Sequence, residues 1–398
     1  MGYIGNRPTA VPLTSADIQD GVITAADIGA AQVTADKTSG VIRPNAKPLI
    51  INGDMAVAQR GTSTASIAGG TYNDYYTCDR WSFTVDTDSS VWTQSQDTDV
   101  PSGYGFAKSL KLDCTTLDAS PSYVLLQQKI EGQDLQLLKK GTANAEKLTL
   151  AFWVKSVKTG TYICELKDTD NNRTVSQAYT VDSGSTWEKK ILNFPADTTG
   201  ALDDDNAVSL EVTFFLALSS VYTSGTLATS WESRTNANRG VGQVNLSDST
   251  SNDFWLTAVQ LEVGEYTSTT IPPFQHESYG ENLRRCERYY HVIAKGVDNA
   301  RLFAGDNFDG TNTEGTYNYS PQMRAVPSID QDTGTGYFEF RANNANSAFD
   351  SFNYMDSGSG QHALRFYTTG GGGSTSAGQG GSYRLGNASA GVAMDSEL

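Results

Sequence analysis

The chain has 398 residues, with 38 glycines, 19 tyrosines and 15 phenylalanines, and its net charge is −16. This length accommodates two or three domains, and the richness in glycine and aromatic residues predicts a mainly β protein. The acidic charge argues against a nucleic-acid partner, and the lack of an 18-residue apolar run argues against membrane insertion. The four cysteines form no CxxC pair, which is typical of a chain made without disulfides in a reducing cytoplasm.

Residues 1–46 lack the pattern of a globular core but contain a weak repeat. Its units are SADIQDGVIT (15–24), AADIGAAQVT (25–34) and ADKTSGVI (35–42). A single unit cannot bury its few apolar side chains, so we expect a shaft or anchor that packs against other chains or a docking partner. The alternative is a disordered tail. The predicted docking residues are Ile18, Val22, Ile28 and Val33.

Residues 47–275 alternate apolar and polar side chains with period two, between clusters of Gly, Asp, Asn and Ser. This pattern predicts many short, half-buried strands and therefore an antiparallel β-sandwich. The side chains expected to face the core are Trp81, Phe83 and Val85; Leu110, Leu112 and Cys114; Leu148, Leu150, Phe152 and Val154; Leu210, Val212, Phe214, Leu216 and Leu218; and Trp255, Val259, Leu261 and Val263.

Trp153 is the exception in this segment, because it lies between Phe152 and Val154 and should point away from the core. An outward tryptophan serves as a contact between subunits, as a platform on which a sugar stacks, or as the support of a covering loop. All three alternatives remain open from the sequence.

Residues 276–295 predict a short helical neck. Ser278 and Glu281 have the spacing of a capping box, in which a hydroxyl and a carboxylate satisfy the first free amides of a helix. Leu283, Cys286 and Tyr290 then recur at i, i+3 and i+7, which predicts a helix over 278–292. A helix this short needs packing, either on its own sandwich or against two further copies. We expect these three residues to form the neck of a trimer.

Residues 296–398 predict a small C-terminal β tip. They contain no Lys, Trp or Cys, and alternation persists in GYFEFRA (336–342) and HALRFYT (362–368). Tyrosines on long polar loops suit saccharide binding, with the interior of a trimer as their alternative location. Tyr337 is the preferred candidate, because it opposes Phe338 and Phe340 in the alternation. The candidate ligand-binding residues are Tyr337, Tyr317, Tyr319, Tyr354 and Tyr367.

The sequence carries no pattern that identifies an enzyme. It contains no GxSxG elbow, no P-loop and no GxGxxG after a predicted strand, and its three histidines have no metal-ligand spacing. The Asp203-Asp204-Asp205 run lies in a polar loop and reads as a solvated turn. We therefore expect no catalytic residues; the alternative is a pair of carboxylates for glycan cleavage among the 45 acidic residues.

Several stretches resemble the tail fibres of tailed bacteriophages. The opening GYIGNRP (2–8) and the repeat resemble the ends by which fibres attach to the virion. YSPQMRAVPSI (319–329) and the terminal AMDSEL resemble the distal domain. Over 49–292 the succession of motifs is similar to a jelly roll of the carbohydrate-binding-module type. Its motifs are LIINGDMAVAQRG (49–61), YTCDRWSF (76–83), LLQQKIEG (125–132), LTLAFWVKS (148–156), STWEKKILNFPA (185–196) and FWLTAVQLEVG (254–264).

This resemblance implies a homotrimeric virion protein, made in the host cytoplasm. It would attach to the tail or another virion protein by its N-terminus, and bind host polysaccharide or an outer-membrane receptor by its tip. Sandwiches of this type hold a structural Ca²⁺ near the first and last strands, where Asp54 and Asp253 lie. The alternatives are a decoration or head fibre on the capsid and a saccharide-degrading tailspike.

Overall fold

The computed structural model describes residues 47–87, 89–355 and 358–398. Residues 47–266 and 274–398 belong to one compact unit. The stretch 267–273 belongs to a second unit and forms a turn, in which the Thr267 amide donates to the Thr270 hydroxyl at 2.9 Å.

Up to residue 263 the described chain is almost entirely strand and loop. The strands are β1 (Ser63–Ile67), β2 (Thr71–Tyr75), β3 (Ser82–Val85), β4 (Val91–Asp97), β5 (Ser109–Thr116), β6 (Tyr123–Glu131), β7 (Leu148–Ser156), β8 (Gly160–Asp168), β9 (Arg173–Val181), β10 (Glu188–Phe194), β11 (Val208–Leu218), β12 (Glu232–Ser233) and β13 (Asp253–Val263). A one-turn helix, α1 (Ser220–Thr223), follows β11.

These strands form two antiparallel sheets, which we call the body. One sheet has six strands in the order β1-β4-β5-β13-β7-β10, and the other has seven in the order β12-β9-β8-β11-β6-β3-β2. The sheets pack face to face, and the rings of Phe152 (β7) and Phe214 (β11) meet between them with centroids 5.0 Å apart. The prediction of a mainly β protein with an antiparallel sandwich is therefore confirmed.

The alternation correctly predicts most of the body core. Trp81, Leu112, Phe152 and Val212 are each fully buried in one continuous cluster that both sheets share. Because these side chains are fully buried, replacing a large one by a small one should lower the free energy of unfolding, by about 3–5 kcal/mol for Phe→Ala.

Two predicted core positions are wrong, and β-bulges are the reason. In β13 the pairing register shifts between Thr257 and Gln260, where Ala258 has a φ of 56°. One extra residue reverses the facing of a strand, so Trp255 lies on the outer face although Val259 lies in the core. In β11 a shift between Phe215 and Ala217 moves Leu218 into a small outer cluster.

After the body comes one helix, α2 (Tyr279–Glu287), and then a second group of strands. These are β14 (Tyr290–Lys295), β15 (Arg301–Asn307), β16 (Thr313–Asn318), β17 (Ser328–Gln331), β18 (Phe338–Ala342), β19 (Ala345–Phe349), β20 (Asn353–Met355), β21 (Ala363–Thr368), β22 (Gly380–Leu385) and β23 (Gly391–Asp395). We call the part from β14 onward the tip.

The tip has its own two antiparallel sheets and its own core. A three-stranded sheet has the order β14-β23-β17, and a seven-stranded sheet has the order β19-β18-β22-β15-β16-β21-β20. The predicted core residues Phe338, Phe340, Leu364 and Phe366 are all fully buried. The tip core is dominated by aromatic rings that contact one another.

The helix between body and tip is shorter than predicted. Its N-cap is Ser278, whose hydroxyl accepts from the Glu281 amide at 3.3 Å, as the capping box requires. The helix ends at Glu287, not at Val292, because Tyr290 already pairs with Asp395 in the three-stranded tip sheet. Tertiary pairing therefore overrides the helical period at its C-terminal end.

Candidate functional site

Four aromatic side chains gather on the outer face of the six-stranded body sheet. Trp153 lies in β7 and Trp255 in β13, and in each strand the neighbouring residues on both sides are fully buried. Because successive side chains of a strand point to opposite faces, both indoles lie on the outer side. Trp187 precedes β10, and Tyr104 lies in the loop between β4 and β5. We call these four residues the aromatic face.

Two lysines lie beside Trp255 on its neighbouring strands. Lys111 of β5 and Lys155 of β7 are directly opposite Trp255 in the sheet. The Lys155 ammonium lies 3.9 Å from the Trp255 ring centroid and 5.7 Å from that of Trp187. The Lys111 ammonium lies 5.1 Å from Trp255. A cation near an indole is attracted by the ring quadrupole, so the lysines help to fix these rings.

Two carboxylates fix the indole N–H groups. The Trp255 Nε1 donates to Asp97 Oδ2 at 3.0 Å, and the Trp187 Nε1 donates to Asp99 Oδ1 at 2.9 Å. The second oxygen of Asp99 pairs with the Lys155 ammonium. Charge-assisted hydrogen bonds of this kind are stronger than neutral ones. The rings are therefore held rigidly before any ligand arrives.

Both carboxylates favour their charged form. Partial burial acts to raise the pKa of Asp99, but the Lys155 ammonium and the Trp187 indole lower it below its ordinary value of 3.8. Partial burial also acts to raise the pKa of Asp97, while the Trp255 indole and the amides of Asp99 and Thr98 lower it. The site therefore keeps two negative charges at neutral pH.

The Gly103-Tyr104-Gly105 turn brings the most exposed ring of the aromatic face into position. Gly103 and Gly105 have φ values of 82° and 81°, which glycine adopts without strain. The Tyr104 ring stacks at a tilt on Trp153, with centroids 4.4 Å apart, and 59% of Tyr104 is exposed. Within the chain, Trp153 is thus partly covered by a loop, and the pair presents a ring surface to solvent.

A second aromatic group borders this turn. The rings of Phe106, Phe274 and His276 lie with centroids 5.0–5.2 Å apart. A Cβ placed on Gly105 would lie 3.7 Å from His276 Nε2, so the turn contacts this group. Phe106 and Phe274 are half-buried, and His276 is exposed. Together with Tyr104 they make an aromatic rim along the loop.

The five tip tyrosines do not converge on one site. Tyr367 lies on the outer face of the seven-stranded tip sheet, opposite Glu314, whereas Tyr317 points to the core side of the same sheet. The Tyr317 hydroxyl contacts His291 Nε2 at 3.1 Å, and its ring contacts Phe303. Of these two tyrosines, Tyr367 is therefore the one whose side chain points outward from the tip sheet.

Tyr319 is a correction, because only 6% of it is exposed and its hydroxyl donates to the Gly360 carbonyl inside the tip. Tyr337 precedes β18 and packs partly against the tip core, over Gly334. The backbone of Tyr354 lies in β20, and its side chain lies outside the described part.

The predicted trimer neck, formed by Leu283, Cys286 and Tyr290, stays a prediction. Cys286 is fully buried, and it packs with Ile51 and Val57 of the same chain, with Leu283 at the edge of that cluster. Tyr290 is 3% exposed. Within the chain, the helix thus packs on its own sandwich, which is the first of the two alternatives.

The two aspartates predicted to hold Ca²⁺ lie in different surroundings. Asp54 accepts from the Asn282 side chain at 3.1 Å, beside a cavity of about 20 Å³. Asp253 lies 3.2 Å from the Lys111 ammonium, and a neighbouring cation does not fit a metal site. Calcium prefers six to eight oxygen ligands, and among the described residues no three acidic, His or Cys side chains are placed so that they could hold a metal ion. A site that includes Asp253 is therefore not supported.

The predicted docking residues Ile18, Val22, Ile28 and Val33 lie outside the described residues. Among the residues that the structure does describe, none of the helices has the length and apolar character needed to cross a membrane.

No protein-family model matches the sequence, and a comparison with curated protein sequences gives no match. Among solved structures, the chain is similar to the enzymatically active domain of tailspike protein 4 of bacteriophage CBA120. That match has 16% identity and a TM-score of 0.29, and it covers 54% of this chain and 21% of that chain.

The chain is also similar to two modules from Clostridium thermocellum. The family 11 carbohydrate-binding module, in complex with a β-1,3-1,4-mixed-linked tetrasaccharide, has 10% identity and a TM-score of 0.26, over 54% of this chain and 98% of that chain. The C-terminal family 22 carbohydrate-binding module of Xyn10B has 9% identity and a TM-score of 0.24, over 54% and 99%. Similarities with TM-scores of 0.29 or less carry no argument about the ligand of this chain.

Proposed function

We infer that this protein is a subunit of a phage tail fibre, or of a closely related virion appendage, and that it binds a host-surface saccharide through the aromatic face of its body. The virion role is supported by the fibre-like motifs along the sequence. The location of binding is supported by one observation above the others, the exposed Tyr104 ring stacked on Trp153, on the sheet face whose other indoles donate to Asp97 and Asp99.

The chemistry of this face suits a sugar. The less polar face of a pyranose stacks on an aromatic ring, and Tyr104 offers one that needs no rearrangement. Asp97 and Asp99 each keep lone pairs beyond the indole bonds, and sugar hydroxyls donate to such oxygens. Because the rings are already fixed, little conformational entropy is lost when the ligand binds.

Binding without cleavage is part of the proposal. Retaining glycosidases place two carboxyl groups about 5–5.5 Å apart across a groove, one of which needs a raised pKa. Asp97 and Asp99 both have lowered pKa values and are held by indoles and a lysine, so neither suits a general acid. Shorter chains after incubation of the protein with host polysaccharide would contradict this part and favour the tailspike alternative.

A surface on the tip is the second candidate for saccharide binding, as the sequence predicts. A groove of about 380 Å³ crosses the outer face of the seven-stranded sheet, along Asp306, Glu314, Thr316 and Arg365. Tyr367 lies directly opposite Glu314 there. This surface offers polar contacts but less ring area than the body.

One experiment separates the two surfaces. Wild-type protein, Tyr104→Ala and Tyr367→Ala are applied to an array of bacterial surface glycans. We expect Tyr104→Ala to lose retention on the glycans that the wild type binds, and Tyr367→Ala to keep it. The opposite pattern would transfer the binding function to the tip.

Two further measurements address the virion role. Trimerisation, which raises avidity by a factor on the order of 10²–10⁴ when three weak sites act together, is tested by the mass of the full chain in solution. A monomer mass would contradict it. Imaging of the particle with a labelled chain distinguishes a tail fibre from a fibre on the capsid.

A further inference from the structure

A second groove lies between the body and the tip, and its lining includes none of the residues of the aromatic face. Its volume is about 580 Å³, which falls in the range of roughly 300–1,000 Å³ that is typical of ligand sites. Its walls come from β1 and β2 of the body and from β14, β17 and β23 of the tip. We call it the seam groove.

The walls of the seam groove are fixed by contacts between body and tip. The Arg60 guanidinium pairs with Asp395 at 3.0 Å and with Glu397 at 3.3 Å, and it stacks on the Tyr290 ring at 3.5 Å. From the preceding residue, the side-chain amide of Gln59 donates to the Tyr290 carbonyl at 2.7 Å. The two walls are therefore positioned before any ligand binds, which lowers the entropic cost of binding.

The lining of the groove combines ring surface with carboxylates. Tyr76 is half-buried, and it packs on the body core while it also lines the groove. Its hydroxyl donates to Asp74 at 3.1 Å, and the Tyr290 hydroxyl donates to Asp330 at 2.8 Å. Both carboxylates belong to exposed residues, so each keeps an oxygen that can accept from a ligand.

The charge of the lining restricts the ligand. Arg60 is already neutralised by two carboxylates, and Lys295 is the other base that lines the groove. The acidic residues of the lining are Asp74, Asp330, Asp395 and Glu397, and Glu397 also pairs with the buried Arg80. With Arg80 counted, the groove keeps an excess of one negative charge, and Asp74 and Asp330 have no basic partner among the lining residues. A polyanion would be repelled, whereas hydroxyl and ammonium groups would be attracted.

We propose that the seam groove is a second saccharide site, specific for oligosaccharides that carry no acidic groups and favouring those with free amines. It rests on the proposed function only for the class of ligand, because it uses none of the residues of the aromatic face. A sugar ring lies on Tyr76, and its hydroxyl or ammonium groups donate to Asp74 and Asp330. With the aromatic face, this gives the chain two separate contacts for one polysaccharide, so that engagement of both raises the apparent affinity.

The test uses the full chain and three hexasaccharides: a chitosan hexamer with free amines, uncharged chitohexaose, and acidic hyaluronan. Binding is measured by titration calorimetry. We expect the chitosan hexamer to bind most tightly, with an affinity that falls as salt rises, and hyaluronan not to bind. Tyr76→Ala should weaken binding of the chitosan hexamer about tenfold, and Asp74→Asn with Asp330→Asn should weaken it by a similar factor.

Tyr76→Phe is the matched control, because it keeps the ring and removes only the hydroxyl. It should retain the wild-type affinity, which separates loss of stacking from loss of folding. The inference is overturned if no hexasaccharide responds to the seam-groove substitutions, or if hyaluronan binds as tightly as the chitosan hexamer. Tyr104→Ala distinguishes the two proposals: it leaves seam binding intact, and it removes only the binding assigned to the aromatic face.

Discussion

The six-stranded body sheet and the seven-stranded tip sheet are both antiparallel, but their outer faces carry different kinds of side chain. On the body, indoles point outward and their N–H groups are held by Asp97 and Asp99. On the tip, the outward positions carry ion pairs between strands, such as Arg384 with Glu339 at 2.6 Å. Many of the tip's rings lie inside, where Phe303, Phe352, Phe366 and Tyr383 contact one another.

This difference shows where recognition by stacking is available. An exposed ring is useful for binding sugars only if it is rigid and has polar groups beside it. The body face meets both conditions, whereas on the tip face Tyr367 lies among charged side chains. Surface ion pairs contribute little to stability, so the tip face is also the more tolerant of substitution.

The largest expected effect is on binding at the body. A double substitution, Tyr104→Ala with Trp153→Ala, removes both rings of the exposed pair and should weaken saccharide binding by at least about 100-fold. The measurement is calorimetric titration with a glycan selected on the array. Tyr367→Ala is the control on the tip and should change affinity by less than about twofold. Equal losses in both variants would remove the distinction between the two faces.

A glycine in the tip tests whether the two regions are independent. A Cβ on Gly315 would lie 2.7 Å from the Ala304 carbonyl oxygen and 2.8 Å from the Tyr383 ring. Gly315→Ala should therefore destabilise the protein by about 1–3 kcal/mol through overpacking, without affecting glycan affinity at a temperature where it is folded.

Gly380→Ala is the matched control for that substitution, because a Cβ there has nothing within 4 Å. Its stability should lie within about 0.5 kcal/mol of the wild type. Thermal unfolding measures both. A loss of glycan binding in folded Gly315→Ala would show that the tip face takes part in binding.

The anchoring carboxylate should have an intermediate effect. Asp99→Asn keeps an acceptor for the Trp187 indole but removes the negative charge that Lys155 pairs with. We expect glycan affinity to fall by about threefold to tenfold as the ring support loosens. Glu339→Gln makes the same change in a tip ion pair and should leave affinity unchanged. A larger loss in Glu339→Gln than in Asp99→Asn would contradict the assignment.

The smallest effect concerns pH. A carboxylate whose pKa is lowered in the folded protein contributes stability above its unfolded pKa and loses it as the pH falls through the folded pKa. Because the pKa values of Asp97 and Asp99 are both lowered from 3.8, both carboxylates stay charged at neutral and mildly acidic pH, so glycan affinity should be constant from about pH 8 to about pH 5 and should fall only below pH 3.8. A fall between about pH 7 and about pH 6 would point to a histidine instead.

Much of the fold could be predicted because alternation is a local signal. Leu148, Leu150, Phe152 and Val154 all lie in the core as their spacing indicates. The bulge in β13 could not be predicted, because its cause is 206 residues away: the Val259 amide donates to the Gly53 carbonyl at 2.9 Å. Only glycine fits at 53, where a Cβ would lie 2.1 Å from the Val259 oxygen. That distant contact turns Trp255 outward.

The candidate site could be predicted only in part. The alternation correctly predicts that Trp153 points outward, because Phe152 and Val154 on either side of it are buried. The alternation does not identify Tyr104, because it lies in a loop. The glycines on both sides of it are nevertheless a local signal for a turn that exposes its ring. The end of the helix at Glu287 is not apparent from the sequence, because it is set by the pairing of Tyr290 with Asp395 in the tip sheet, where Glu131 also holds Arg288 at 2.7 Å.

The central claim is that the aromatic face of the body holds the saccharide. A crystal structure of the full chain soaked with the glycan that the array selects tests it most directly. The account predicts a sugar ring stacked on Tyr104, with hydroxyl groups within hydrogen-bond distance of Asp97 or Asp99. A glycan found on the outer face of the tip sheet beside Tyr367, with Tyr104 free of any ligand, would contradict it.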